Sequence, residues 1–234
     1  MNVSELALVQ GMDDTRAALR RWNAAPLAAL RPWVLGAAAI SVALLAAVWI
    51  VSHVVTPDPT GYVIPGLDTP GSIGSVGHVL FRNSLVLTLH AMACVAGFIA
   101  GSSLPMQAEH HHGWWRTVHE KAGPAAIVFV AAATTFSLCT QGYVLGNEAA
   151  TLAQQLQIGR AMLMVTLLPH ALPELVALFL PLAAWMLASR REAWSELLAA
   201  TVVTTVIAAP VLILAANVEV FLWPRLLLLA SPVM

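Results

Sequence analysis

Leu168-Pro169-His170-Ala171-Leu172-Pro173-Glu174-Leu175 lies in the middle of an otherwise apolar run from Ala161 to Ala188. A helix of that length crosses the roughly 30 Å hydrocarbon core of a bilayer. Histidine and glutamate are costly at such depth, and where they occur they face a protein interior or a wet cavity. His170 and Glu174 are four apart, so on a helix they share one face, about 40° from each other. Pro169 and Pro173 repeat that spacing. Each removes a backbone donor, so the run is expected to break between them and to free carbonyls beside the two polar side chains. The stretch reads as a polar site inside a membrane.

Composition agrees with that reading. Of 234 residues 59% are apolar and only 10% charged, against about a quarter charged in a soluble domain. The fold class is therefore all-α, a polytopic membrane helix bundle with the lipid bilayer as its first partner. A net charge of −1 leaves no electrostatic footprint for nucleic acid. Cys94 and Cys139 both fall in apolar runs and read as small buried hydrophobes, not as a disulfide or a metal pair. The first apolar run begins too late for a cleavable signal peptide.

Outward from the central stretch, five spans are expected: 32–55, 78–101, 124–145, 161–188 (proline-broken) and 197–222. A tail over 1–31 precedes them and a short external tail over 225–234 follows. Eight of the eleven lysines and arginines (Arg16, Arg20, Arg21, Arg31, Arg116, Lys121, Arg190, Arg191) fall on one side of these spans. Arg82, Arg160 and Arg225 fall on the other. The positive-inside rule then puts the N-terminus in the cytoplasm and the C-terminus outside a cell membrane. In the tail, Asp13-Asp14 before Thr15-Arg16-Ala17-Ala18-Leu19-Arg20-Arg21-Trp22 reads either as a short capped surface helix or as a solvated, topology-setting segment.

The outer loop over 56–77 is rich in proline and glycine and reads first as a connector, second as a cover or docking element. The inner loop carries His110-His111-His112-Gly113-Trp114-Trp115. Three adjacent histidines cannot all reach one ion from a regular element, so this is expected to be an interfacial segment anchored by tryptophan. No metal site and no cofactor are expected.

Other polar residues sit inside spans. Phe81-Arg82-Asn83-Ser84 opens the second, and His90 shares a helical face with Asn83. Gly97 and Gly101 mark a close-packing surface in the same span. Thr134, Ser137 and Gln141 read as interhelical hydrogen-bonding residues of the third. In the fifth, Glu219 ends a small, polar face, near the outer boundary, and Asn217 points nearly the opposite way. At 1.5 Å per residue, His170 and His90 lie roughly 14 and 18 Å deep. Asn83, His170 and Glu174 are expected to face one another with Glu219 at the rim. Arg82 and His90 are further candidates for ligand contact or helix packing.

These residues resemble a known family. Leu168-Pro169-His170 through Glu174 is similar to the proline-histidine-glycine…glutamate signature of the stage II sporulation protein M family of integral membrane proteins. Phe81-Arg82-Asn83-Ser84 resembles the asparagine-bearing start of that family's second span. The segment from Leu214 to Pro224 resembles its alanine-rich end, closing in glutamate, aromatic and proline. Ala171 departs from the pattern, which has glycine there. The resemblance implies a bacterial five-span protein that tethers membrane or periplasmic partners, cell-wall hydrolases among them.

Three functions are consistent with this sequence. The first is a non-enzymatic membrane component that assembles or anchors partner proteins. The second is a cofactor-independent enzyme acting by proton transfer on a bound peptide, as in an epimerase or isomerase, with His170 and Glu174 as acid and base and Asn83 binding an oxyanion or amide. The third is a permease subunit, which would need an ATPase partner because the chain has no nucleotide-binding motif. Homo-oligomerisation is open. A zinc protease is disfavoured because His170-x-x-x-Glu174 lacks the motif's second histidine, and no serine sits in an evident nucleophile elbow.

Overall fold

The computed structural model describes residues 7–105 and 113–231, and only the backbone of 7–10, 115–117, 119 and 120. His110 to His112 lie outside the described residues. The fold is all-helical with five helices long and apolar enough to cross a membrane: Pro26–Val54, Ile73–Ser103, Lys121–Gln155, Arg160–Arg191 and Trp194–Ala230. The chain is an integral, multi-pass membrane protein.

In chain order the elements are α1 (Ala7–Ala24), α2 (Pro26–Val54), α3 (Ile73–Phe98), α4 (Trp114–Gln155), α5 (Arg160–Arg191), α6 (Leu197–Asn217) and α7 (Trp223–Ala230). Two π-helical turns interrupt them, Ile99–Ser103 after α3 and Val218–Leu222 between α6 and α7.

The expected break in the fourth span does not occur. α5 runs unbroken from Arg160 to Arg191, through Pro169, Pro173 and Pro181. Each proline cancels one ladder bond, but the bonds of its neighbours persist. In an apolar surrounding an unpaired backbone group has no water to turn to, so continuing the helix is the cheaper course. The N-terminal segment also differs from a capped start at Asp13. Asp13 and Asp14 lie inside α1, where Asp13 accepts a hydrogen bond from Arg16 at 3.2 Å.

The chain groups into two compact units. One comprises Met1–Ala37, Val86–Thr134 and Leu178–Ile207. Here α1 buries Ala18 and Gly11, and a Cβ on Gly11 would lie 2.8 Å from the Phe98 ring. Arg21 pairs with Glu196 at 2.6 Å, and Trp22 meets Trp33 edge-on at 4.9 Å. Gly97 and Gly101 do form a close-packing surface. It receives the indoles of Trp185 and Trp194, respectively.

The other unit comprises Ala38–Leu85, Thr135–Ala177 and Ala208–Met234. α2 and α4 approach closely at Gly146, where a Cβ would lie 2.5 Å from Val51. Ile64, Leu156, Leu163, Trp223 and Leu227 share a buried apolar cluster. A second cluster joins Val76 of α3 to Ala216 and Val220. The segment over 55–72 is more than a connector. Gln155 at the end of α4 donates to the Tyr62 carbonyl and accepts from the Tyr62 N–H, both at 2.8 Å. Ile64 and Leu67 of this segment pack against the cluster that holds Trp223. Gly66 and Gly71 lie against the Val220 carbonyl. Pro224 has no N–H to offer that carbonyl one turn away.

Candidate functional site

The site lies wholly within the second unit and is built from three spans. α5 supplies His170 and Glu174, one turn apart. The π turn and the start of α7 supply Glu219 and Trp223, also four apart. α3 supplies Arg82 and Asn83. The i, i+4 spacing on both α5 and the last span makes two rungs between them. In one rung His170 faces the Trp223 indole, ring centroids 5.4 Å apart. In the other, Glu174 and Glu219 lie close enough to feel each other's charge, and Arg82 acts on both. The Asn83 amide approaches the Glu174 carboxyl. Its Nδ2 nevertheless falls short of hydrogen-bond geometry.

The fold positions these groups for identifiable reasons. The π turn places an extra residue in its helical turn, and Trp223 donates its N–H to the Val218 carbonyl across it. Such turns recur at functional sites. Trp223 is held by the apolar cluster below the 55–72 segment, and its ring in turn packs on His170.

Polar saturation is incomplete here. Buried Asn83 Nδ2, His170 Nδ1, Glu174 Oε2 and Trp223 Nε1 have no hydrogen-bond partner. Buried polar atoms are nearly always paired; four more that are not, on His90, Arg160, Trp185 and Thr205, lie outside this constellation. His170 is only 5% exposed. Glu174 and Glu219 are half-buried and Arg82 is exposed.

The sequence-predicted residues divide accordingly. Asn83, Glu174, Glu219 and Arg82 come together. His170 shares their helical face but meets Trp223. His90 is engaged elsewhere, with Nδ1 donating to the Leu178 carbonyl at 3.0 Å and its ring 5.3 Å from Phe179. Asn217 points away, donating to the Ile213 carbonyl in its own helix. Gln141 likewise bonds within its helix, to Ser137, so it is not the interhelical contact expected. Trp223 was missed as a site residue. Its spacing of four from Glu219, mirroring His170 and Glu174, is the signal that points to it.

A cavity of about 430 Å³ lies apart from the carboxyls, lined by Asp58, Tyr62, Asp68, Thr151 and Gln155 among others. Its loop wall is internally bonded: Asp58 accepts from the Thr60 N–H at 2.8 Å and hydroxyl at 2.7 Å. These bonds hold the Asp58 carboxyl below its usual range. A carboxyl whose folded value is depressed stabilises its surroundings above the unfolded value, and the contribution is lost as pH falls through the folded one. Protection of the Thr60 amide against hydrogen exchange should therefore be constant at neutral pH and fall below about pH 3.8. Unchanged protection at pH 2, after correction for intrinsic exchange, would remove this account of the turn.

The chain matches no protein-family model, no curated protein and no solved structure.

Proposed function

We propose that this protein is a component of a bacterial cell membrane, of the stage II sporulation protein M kind, that assembles partner proteins through the polar intramembrane site. The observation that supports it most is the constellation of four unpartnered buried atoms on His170, Trp223, Glu174 and Asn83. A polar group kept in a membrane at such cost is best accounted for by a partner that satisfies it. The acid–base reading with His170 and Glu174 is less favoured by the geometry. His170 faces an indole and Glu174 a second carboxyl, so the pair is not set across a common space as acid and base would be.

A photo-crosslinking residue at Leu85, exposed on α3 near Arg82, tests the reading in native membranes. Wild-type protein should give a discrete adduct with another protein. Glu174→Gln, which keeps size and polarity, should lower its yield about tenfold, on the order of 1.4 kcal/mol. No adduct in the wild type, or an undiminished one in a folded Glu174→Gln variant, would sink the proposal. The orientation proposed with it is a cytoplasmic N-terminus and an external C-terminus. Reporter fusions at Met1 and Met234 should read opposite sides, the former inside.

A further inference from the structure

We infer that the first unit binds an anionic phospholipid, its phosphate held by Arg191 at a recess that Trp22 and Trp33 line. This site shares no residue with the intramembrane site and does not depend on the assembly reading.

The recess is built within one unit, from Trp22 of α1, Trp33 of α2, Arg191 at the end of α5, and Glu196 and Leu197 at the start of the last span. Its volume is about 30 Å³, room for a group the size of roughly one or two waters. Two contacts fix its walls. Trp22 meets Trp33 edge-on at 4.9 Å, and Arg21 donates to Glu196 at 2.6 Å. Arg21 thus engages the carboxylate at the recess. Arg191, which also lines it, has no hydrogen-bond or ion-pair partner among the described residues.

Charge decides what the recess attracts. Arg20, Arg31 and Arg190 are also exposed and unpaired among the described residues. With Arg21 and Arg191 they gather where α1 ends, α2 begins and α5 ends. Glu192 and Glu196 are the carboxylates at this end. Asp13 and Asp14 lie about two turns back along α1, where Arg16 takes Asp13. Five guanidiniums and two carboxylates leave this end of the unit positive. Arginine does not deprotonate in proteins, so the excess depends on no titration of a cation. Its planar fork matches the oxygens of a phosphate.

Depth selects a lipid over a dissolved anion. Tryptophan collects at the level of the lipid headgroups, and basic pockets between spans bind acidic headgroups there. A recess this small admits a phosphate oxygen but not the body of a nucleotide or a peptide. The rest of the lipid then stays outside it. Leu27, Val34 and Leu35 of α2 are exposed apolar side chains against which its acyl chains can lie.

The test uses the full chain in detergent micelles, with native mass spectrometry to count bound lipids. Phosphatidylglycerol and phosphatidylcholine both carry a phosphate, but the second is neutral overall. Phosphatidylglycerol should bind about tenfold more tightly. Arg191→Gln should weaken its binding about fivefold, and Arg191→Lys less. Arg225→Gln removes the same charge from an exposed residue of the other unit and should leave binding unchanged. Inorganic phosphate in large excess should not displace the lipid. Equal binding of the two lipids to the wild type overturns the inference, and that comparison needs no variant to fold. An Arg191→Gln variant that melts with the wild type and binds phosphatidylglycerol as tightly also overturns it. An equal loss in Arg225→Gln would reduce the effect to net charge, and displacement by inorganic phosphate would assign the recess to a dissolved anion. Either result overturns the lipid site.

Discussion

Valine in place of Gly66 should leave little folded protein. Gly66 has φ +89°, a conformation that a β-branched residue adopts only under strain. A Cβ there would lie 2.5 Å from the Val220 carbonyl oxygen and 2.6 Å from the Pro224 ring. Backbone and proline ring cannot step aside as a flexible side chain can. The Gly66 N–H also donates to the Thr69 carbonyl at 2.7 Å, which closes the turn that brings the 55–72 segment onto the last span. Strain of about 1–3 kcal/mol and overpacking of about 1–3 kcal/mol together approach the stability of a whole domain. Gly77, on α3, is the control. A Cβ there meets nothing within 4 Å, so Gly77→Ala should be neutral or stabilising by up to about 1 kcal/mol. Thermal unfolding in detergent reads both. A Gly66→Val variant melting with the wild type would show that the segment does not depend on this contact.

Arg82→Gln is the second large effect expected. Among the described residues, the Arg82 guanidinium is the cation acting on Glu174 and Glu219. Arg82 is exposed and the carboxyls half-buried, so a loss of up to about 1 kcal/mol is expected. The sign of a second substitution is more diagnostic. Glu219→Gln in the Arg82→Gln background removes the carboxylate left unbalanced and should restore most of the lost stability. The same change in the wild type should not stabilise. That coupling is what a double-mutant cycle measures. Strictly additive effects would mean that Arg82 and Glu219 do not interact.

The sequence made the apolar spans and the face shared by His170 and Glu174 legible, because both follow from counting along a helix. Asn83 could be placed beside Glu174 from its depth in the second span. The partner of His170 could not. That contact depends on the phase of the last span after Val218, and no propensity announces a π turn. Glu219 was readable as polar and near a boundary, but its distance from Glu174 is a tertiary matter. The prolines of α5 misled for a related reason: a local rule written for water overstates how readily a helix ends in lipid. The segment over 55–72 hid its order because Gln155, which fixes Tyr62, is 93 positions away in the chain.

The π turn has a bearing on how this protein tolerates insertion and deletion. An α-helix advances 100° per residue, and Val218–Leu222 carries one residue beyond the α-helical count. Loss of one of those five positions would let the ladder close as plain α-helix with the residues after it in nearly the phase they hold now. Trp223, Pro224 and Leu227, now buried, would keep their facing. The same loss within Leu197–Asn217 would instead turn everything after it by about 100°. The turn is in effect a store of one residue of slack, and the last span tolerates a shorter chain here and not in the helix before it.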